Sequence, residues 1–112
     1  MKLIQVCTTD ELPEGEALKI ENDGTPIAVF NSGGEFLAVD EQCTHGEWSL
    51  CDGFIENGEV ECPLHGAKFC LKTGAVLAPP ASRALRVFPV KIEGDRVYVD
   101  VEGGHYEVEP VA

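Results

Sequence analysis

Cys43 and His45 are separated by one residue in CTHGEW, and Cys62 and His65 by two residues in CPLHG. Sixteen residues lie between His45 and Cys62, so the full pattern is C-x-H-x16-C-x2-H. Each short segment offers one thiol and one imidazole, beside Gly46 in the first and Gly66 in the second. Three chemistries compete for such donors. A Cys–His pair can make a nucleophile, but one pair suffices and the duplication is left without a purpose. A tetrahedral zinc ion accepts two Cys and two His, usually from one close pair of cysteines and one close pair of histidines rather than from mixed pairs. A two-iron, two-sulfur cluster with two histidines on one iron gives the mixed pairs a reason. Each segment then sends its cysteine to the inner iron and its histidine to the outer.

Charge counting shows what histidine changes. Two ferric ions and two sulfides together carry +2, so four thiolates make the oxidised cluster -2 and the reduced one -3. Two thiolates and two neutral imidazoles make these 0 and -1, which lowers the cost of adding an electron. The potential then lies in the range of roughly -150 to +300 mV. The remote nitrogen of each imidazole can also lose a proton, so the potential falls at high pH.

Loops that hold such a centre need a stiff support, and the turn chemistry predicts one made of strands. Turn signals recur about every ten residues, at NDGT (22–25), NSGG (31–34), ENG (56–58), KTG (72–74) and EGD (93–95). Between them lie β-prone runs: LIQVC, ALKIE, PIAVF, FLAVD, AKFCL, RVFPVKI and RVYVDV. Arg96 to Val101 alternates polar and apolar residues, the mark of a strand with one buried face. Asn57-Gly58, between GFIE and EVEC, predicts a type I′ hairpin. TTDELPEGEA holds at most one helical turn, broken by Pro13, and nothing reads as a long amphipathic helix. GGHYEVEPVA reads as a final strand or a loose tail.

With 112 residues and 12.1 kDa, the chain has room for one domain and a modest core. Twenty Asp and Glu against eight Lys and Arg leave a formal charge of -12. Such a surface repels phosphate backbones and argues against nucleic-acid binding. It serves solubility, or steers the protein toward a basic face on a partner. The N-terminal apolar run is too short for a signal-peptide core, and no window approaches a membrane span. Five cysteines, an odd number, fit a reducing compartment. These features predict a soluble, cytoplasmic protein that binds no membrane.

The ligand pattern, with LPEGEAL, CTHGEWSL, ECPLHGAKFC, KTGAV and FPVKIEGDRVYVD around it, resembles that of Rieske ferredoxins. The likeness is greatest to the ferredoxin components of bacterial aromatic-ring-hydroxylating dioxygenases of the biphenyl and toluene type, and runs nearly end to end. It implies an all-β Rieske fold in a single domain, 1–112. A small antiparallel β-sandwich or barrel framework would carry an inserted cluster-binding subdomain at about 41–71. It implies one [2Fe-2S] cluster, with Cys43 and Cys62 on the inner iron and His45 and His65 on the outer. A chain of this kind is no enzyme. It is a monomeric carrier that takes one electron from an NADH-dependent flavoprotein ferredoxin reductase. It gives the electron to the Rieske centre of a terminal oxygenase in aromatic hydrocarbon catabolism, and both contacts are transient. A second reading makes it the Rieske small subunit of another oxidoreductase, nitrite-reductase-like or arsenite-oxidase-like. A third, outside redox chemistry, is a zinc-stabilised interaction module.

The resemblance also implies roles around the ligands. Gly46 and Gly66 let backbone amides approach sulfur, and Pro79-Pro80 matches the loop that covers the cluster from water. Trp48 belongs either to the core or to the docking rim. Respiratory Rieske proteins carry a disulfide between the loops where this chain has Trp48 and Leu64. They carry serine and tyrosine hydroxyls where it has Ala67 and Phe69. Losing two donors to sulfur, at roughly 40 mV each, places the potential near the low end, about -150 mV. Cys7, Cys51 and Cys70 read as small hydrophobes or tolerated thiols, His105 as an ordinary surface side chain, and Lys68 as a docking charge or nothing.

Overall fold

The computed structural model describes residues 1–22, 24–42, 49–63, 66–78 and 83–108. Among these residues are eleven strands, two 3-10 turns and no α-helix. The strands form three antiparallel sheets, stacked so that the middle one is covered on both faces.

The middle sheet explains the most apolar run of the chain. It contains β2 (Ala17–Ile20), β3 (Ile27–Ser32), β4 (Glu35–Asp40) and β9 (Val87–Phe88), in the order β2-β3-β4-β9. A strand buried on both faces reads as continuous hydrophobicity instead of alternation. In β3, Ile27 and Val29 face one core while Ala28 and Phe30 face the other, and all four are fully buried. Each such side chain contributes about 1.5–3 kcal/mol by leaving water.

A lower sheet, β1 (Leu3–Thr8), β11 (Arg96–Asp100) and β10 (Val90–Glu93), closes the first core. Here the alternation is clean: Val97 and Val99 are buried while Arg96 is exposed. The third sheet, β5 (Phe54–Glu56), β6 (Glu59–Glu61), β7 (Lys68–Cys70) and β8 (Val76–Ala78), is an up-and-down meander. Its inner face lays Val60 and Phe69 on Phe30, Val39, Leu50 and Leu85. Asn57 and Gly58 both have positive φ, 53° and 75°, as the type I′ hairpin requires.

Three details differ from the sequence reading. RVFPVKI is not one strand: Pro89, which has no N–H to donate, separates β9 in the middle sheet from β10 in the lower one. The short β8 joins the third sheet through Lys68↔Ala78 and Phe69↔Val76. Of the C-terminal stretch, 103–108 form no full strand, but His105 makes one antiparallel bridge with Val87, and the remainder lies outside the described residues. The single turn expected in TTDELPEGEA is the 3-10 turn Thr9–Glu11, whose Glu11 carboxylate accepts the Thr8 N–H at 2.7 Å.

Candidate metal centre

In an antiparallel meander the start of β5, the end of β6, the start of β7 and the end of β8 fall at one edge of the sheet. The register fixes that row: Phe54↔Glu61, Glu61↔Lys68 and Lys68↔Ala78. Both donor segments attach here, and so does the segment that carries Pro79-Pro80. Residues 62–67 link β6 to β7, and 79–82 follow β8. Residues 43–48 lie between Gln42 and Ser49, which form an antiparallel bridge. From Ser49 the chain runs through the 3-10 turn Leu50–Asp52 and Gly53 straight into β5.

Cys62 opens the second segment and is 1% exposed, packed in the core with Ala67, Phe69 and Leu50. Its N–H donates to the Ala67 carbonyl at 2.7 Å and closes the turn. Gly66 supplies the left-handed backbone, φ +73°, that brings the chain back to Ala67. Gly53 presses its backbone against the Glu61 carbonyl, and a Cβ there would collide with that oxygen. The exit of the first segment is thereby seated against the residue before Cys62.

Two further ties hold the surroundings. Asp40, three residues before Cys43, accepts the Arg86 N–H at 2.8 Å and its guanidinium at 3.0 Å, while the Asp40 N–H donates to the Arg86 carbonyl at 3.1 Å. The Arg86 guanidinium also lies 5.3 Å from the Phe88 ring centroid, a cation–π contact. The Leu85 N–H donates to the Gly74 carbonyl at 2.9 Å. The first link joins the strand entering the first segment to the chain returning from 79–82, and the second ties that chain to the turn before β8.

The other cysteines differ in character. Burial, then the carboxylate of Glu11, raises the pKa of Cys7. Burial raises that of Cys51 as well; the Ser49 hydroxyl opposes this, and Glu41 and Asp52 reinforce it. Burial also acts upward on Cys70, but the Thr73 hydroxyl and the backbone N–H groups of Thr73 and Lys72 outweigh it, leaving this thiol below its ordinary value. Cys7, Cys51, Cys62 and Cys70 form no disulfide.

Of the anticipated site residues, Cys62 and Gly66 are described and stand at the converging edge. Cys43, His45, Gly46, Trp48, Leu64, His65, Pro79 and Pro80 lie outside the described residues. Among the described residues, no three His, Cys, Asp or Glu side chains converge on a metal position. A buried thiol at the head of a tight turn is suited to a soft metal, because thiolate favours iron–sulfur clusters and zinc. Lys68 pairs with Glu61 at 3.9 Å, both partly exposed. The Asp40–Arg86 link went unread in the sequence, as did the exposed ring of Phe54, which shares one face of its strand with Glu56.

Comparison with known proteins bears on the same segments. Residues 2–89 match the Rieske [2Fe-2S] domain. The biphenyl 2,3-dioxygenase ferredoxin component of Rhodococcus jostii (strain RHA1) is 49% identical over 104 residues, 93% of this chain and 97% of its own length. The biphenyl dioxygenase ferredoxin subunit of Pseudomonas sp. (strain KKS102) is 48% identical over 101 residues, 89% of this chain and 93% of that one. Among solved structures, a chain from the complex of reduced oxygenase and oxidised ferredoxin in carbazole 1,9a-dioxygenase superimposes with a TM-score of 0.84. It is 32% identical, and the match covers 96% of this chain and 97% of that one.

Proposed function

The chain belongs to the Rieske [2Fe-2S] domain family, and on that footing we propose that it is a one-electron carrier in an aromatic-ring dioxygenase system. It is not itself an enzyme. Cys43 and Cys62 would hold the inner iron of one [2Fe-2S] cluster, and His45 and His65 the outer. When bound, that cluster supplies reversible uptake of a single electron. Cys62 and its apolar neighbours Ala67 and Phe69 keep water from the thiolate side. Gly66 shapes the turn, and Gly46 would do the same in the first segment, leaving backbone N–H groups room to approach sulfur. Trp48, Leu64, Pro79 and Pro80 would line and cover the centre. With Ala67 and Phe69 lacking hydroxyls, this carrier belongs at the low-potential end of its family.

Its donor would be an NADH-dependent flavoprotein ferredoxin reductase and its acceptor the Rieske centre of a terminal oxygenase. Both contacts would be brief, made by a monomer in the cytoplasm. No helix among the described residues is long and apolar enough to cross a membrane. The observation that carries the reading is buried Cys62 at the one edge where all the ligand-bearing segments attach, in a chain nearly half identical to dioxygenase ferredoxins. That identity favours a mobile carrier over a permanent subunit.

Anaerobic reduction of the purified protein followed by EPR, with metal and sulfide analysis, tests the proposal. The expected result is two irons and two sulfides per chain and the spectrum of a mixed nitrogen–sulfur centre, with electrons passing on to a dioxygenase oxygenase. A protein with a lone metal ion, or one that cannot be reduced, overturns it.

A further inference from the structure

The sheet that carries the site has an outer face on which no described element packs. Phe54 is 69% exposed there, more than any other described large hydrophobic residue except Met1. Its row is Phe54↔Glu61↔Lys68, and the next is Glu56↔Glu59↔Cys70. Alternation along the strands sends Ile55, Val60 and Phe69 inward and leaves Phe54, Glu56, Glu59, Glu61 and Lys68 outside. With Asn57 these five line a groove of about 270 Å³. Three carboxylates against one ammonium give the groove lining a net charge of -2, and among the described residues Lys68 pairs with Glu61. The groove also adjoins the site: Glu61, which faces Phe54 across the ladder, immediately precedes Cys62.

Resting on the carrier reading above, we propose that this outer face is a docking surface for a redox partner protein. The partner presents a cationic rim around an apolar recess that receives the Phe54 ring. An exposed aromatic among charged side chains fits the anatomy of interfaces, where aromatic anchors sit within a polar rim. The acidic residues set the sign of the partner and speed encounter, while the ring sets how long the complex lasts. A second copy of this chain is a poor occupant, because it would bring carboxylates to carboxylates on a protein of charge -12. Of the other exposed apolar residues, Leu77, 47% exposed, lies on β8 of the same sheet but does not line the groove, and Ile92, 45% exposed, lies on β10 of the lower sheet.

Three variants of the cluster-loaded protein test this: Phe54→Ala, the double change Glu56→Gln with Glu59→Gln, and Ile92→Ala as control. The visible spectrum and midpoint potential of each are measured first and are expected to match the parent, since none of these side chains enters the core beneath the site. Stopped-flow transfer from a biphenyl-type reductase, and onward to the matching oxygenase, is then followed over a range of salt. Phe54→Ala is expected to slow the second-order step with at least one partner by about tenfold. The double change should flatten the salt dependence, and Ile92→Ala should alter nothing. Transfer by Phe54→Ala at the parent's rate with both partners overturns the docking face while leaving the carrier reading intact. So does a parent dimer, seen by ultracentrifugation, that Phe54→Ala dissociates. A parent that passes electrons to neither partner overturns the carrier reading, and the docking face with it.

Discussion

The two cores on either side of the middle sheet use the same kinds of side chain but are closed in different ways. The lower core, around Ile27, Val29, Val97 and Val99, is sealed by strands of up to six residues and by Leu12 from the turn after β1. The upper core, around Phe30, Leu50, Val60 and Phe69, lies under strands of only three residues. Its rim includes Cys62 and Ala67, the two ends of the turn that carries the proposed ligands. The lower half is held by ladder and burial, with ties from the Asn31 amide to the Leu12 carbonyl at 2.8 Å and from the Lys2 N–H to Asp100 at 3.0 Å. The upper half adds point ties, Gln42 to Ser49, Asp40 to Arg86 and Leu85 to Gly74, and would be stabilised further by metal binding.

Removing iron is the strongest way to break this comparison. Chelation under reducing conditions should strip hydrogen-exchange protection from β5–β8 while β1, β10 and β11 keep theirs. Uniform loss across all three sheets would show that the cores do not behave separately. Paired core substitutions sharpen it. Phe69→Ala and Ile27→Ala each delete a fully buried side chain, at about 3–5 and 2–5 kcal/mol of unfolding free energy by denaturant titration. Only Phe69→Ala should also quicken iron release, measured by the decay of visible absorbance.

A finer probe is Ala67→Ser, which places a hydroxyl beside Cys62. If it donates to sulfur, the midpoint potential should rise by about 40 mV in film voltammetry, with stability nearly unchanged. The smallest effect concerns the lower edge of the middle sheet. His105 lies between the Gly103 carbonyl at 2.9 Å and the Glu107 carboxylate at 2.6 Å. The carbonyl first and the carboxylate second hold its pKa above the ordinary value. A raised folded pKa means the stabilisation is complete below the unfolded value of about 6.5 and fades as pH rises through the folded one. The pair is half exposed, so it contributes about 0.5 kcal/mol or less. NMR titration should find the imidazole midpoint above 6.5, and Glu107→Gln should bring it down.

How much of this was legible in the sequence depended on how local the physics is. Asn57-Gly58 announced its hairpin because the turn needs two positive φ values, and Val97-Tyr98-Val99 announced a one-faced strand. The donor spacing was legible for the same reason, since a metal constrains a few neighbouring residues. Pro89 was less so: RVFPVKI looks continuous until one knows that its halves belong to different sheets. The bond between Asp40 and Arg86 spans 46 positions, and no local pattern marks it. Phe54 could be assigned to a strand, yet which face of that strand meets solvent depended on where the middle sheet packs.

Arg86 grips Asp40 through both its backbone and its guanidinium, so the strand leading into the first donor segment and the chain following Pro79-Pro80 share a common joint. Groups mounted on stiff joints move little when their charge changes. In the proposed carrier little nuclear rearrangement would then accompany each hop, and throughput would be governed by how often molecules collide in a useful orientation.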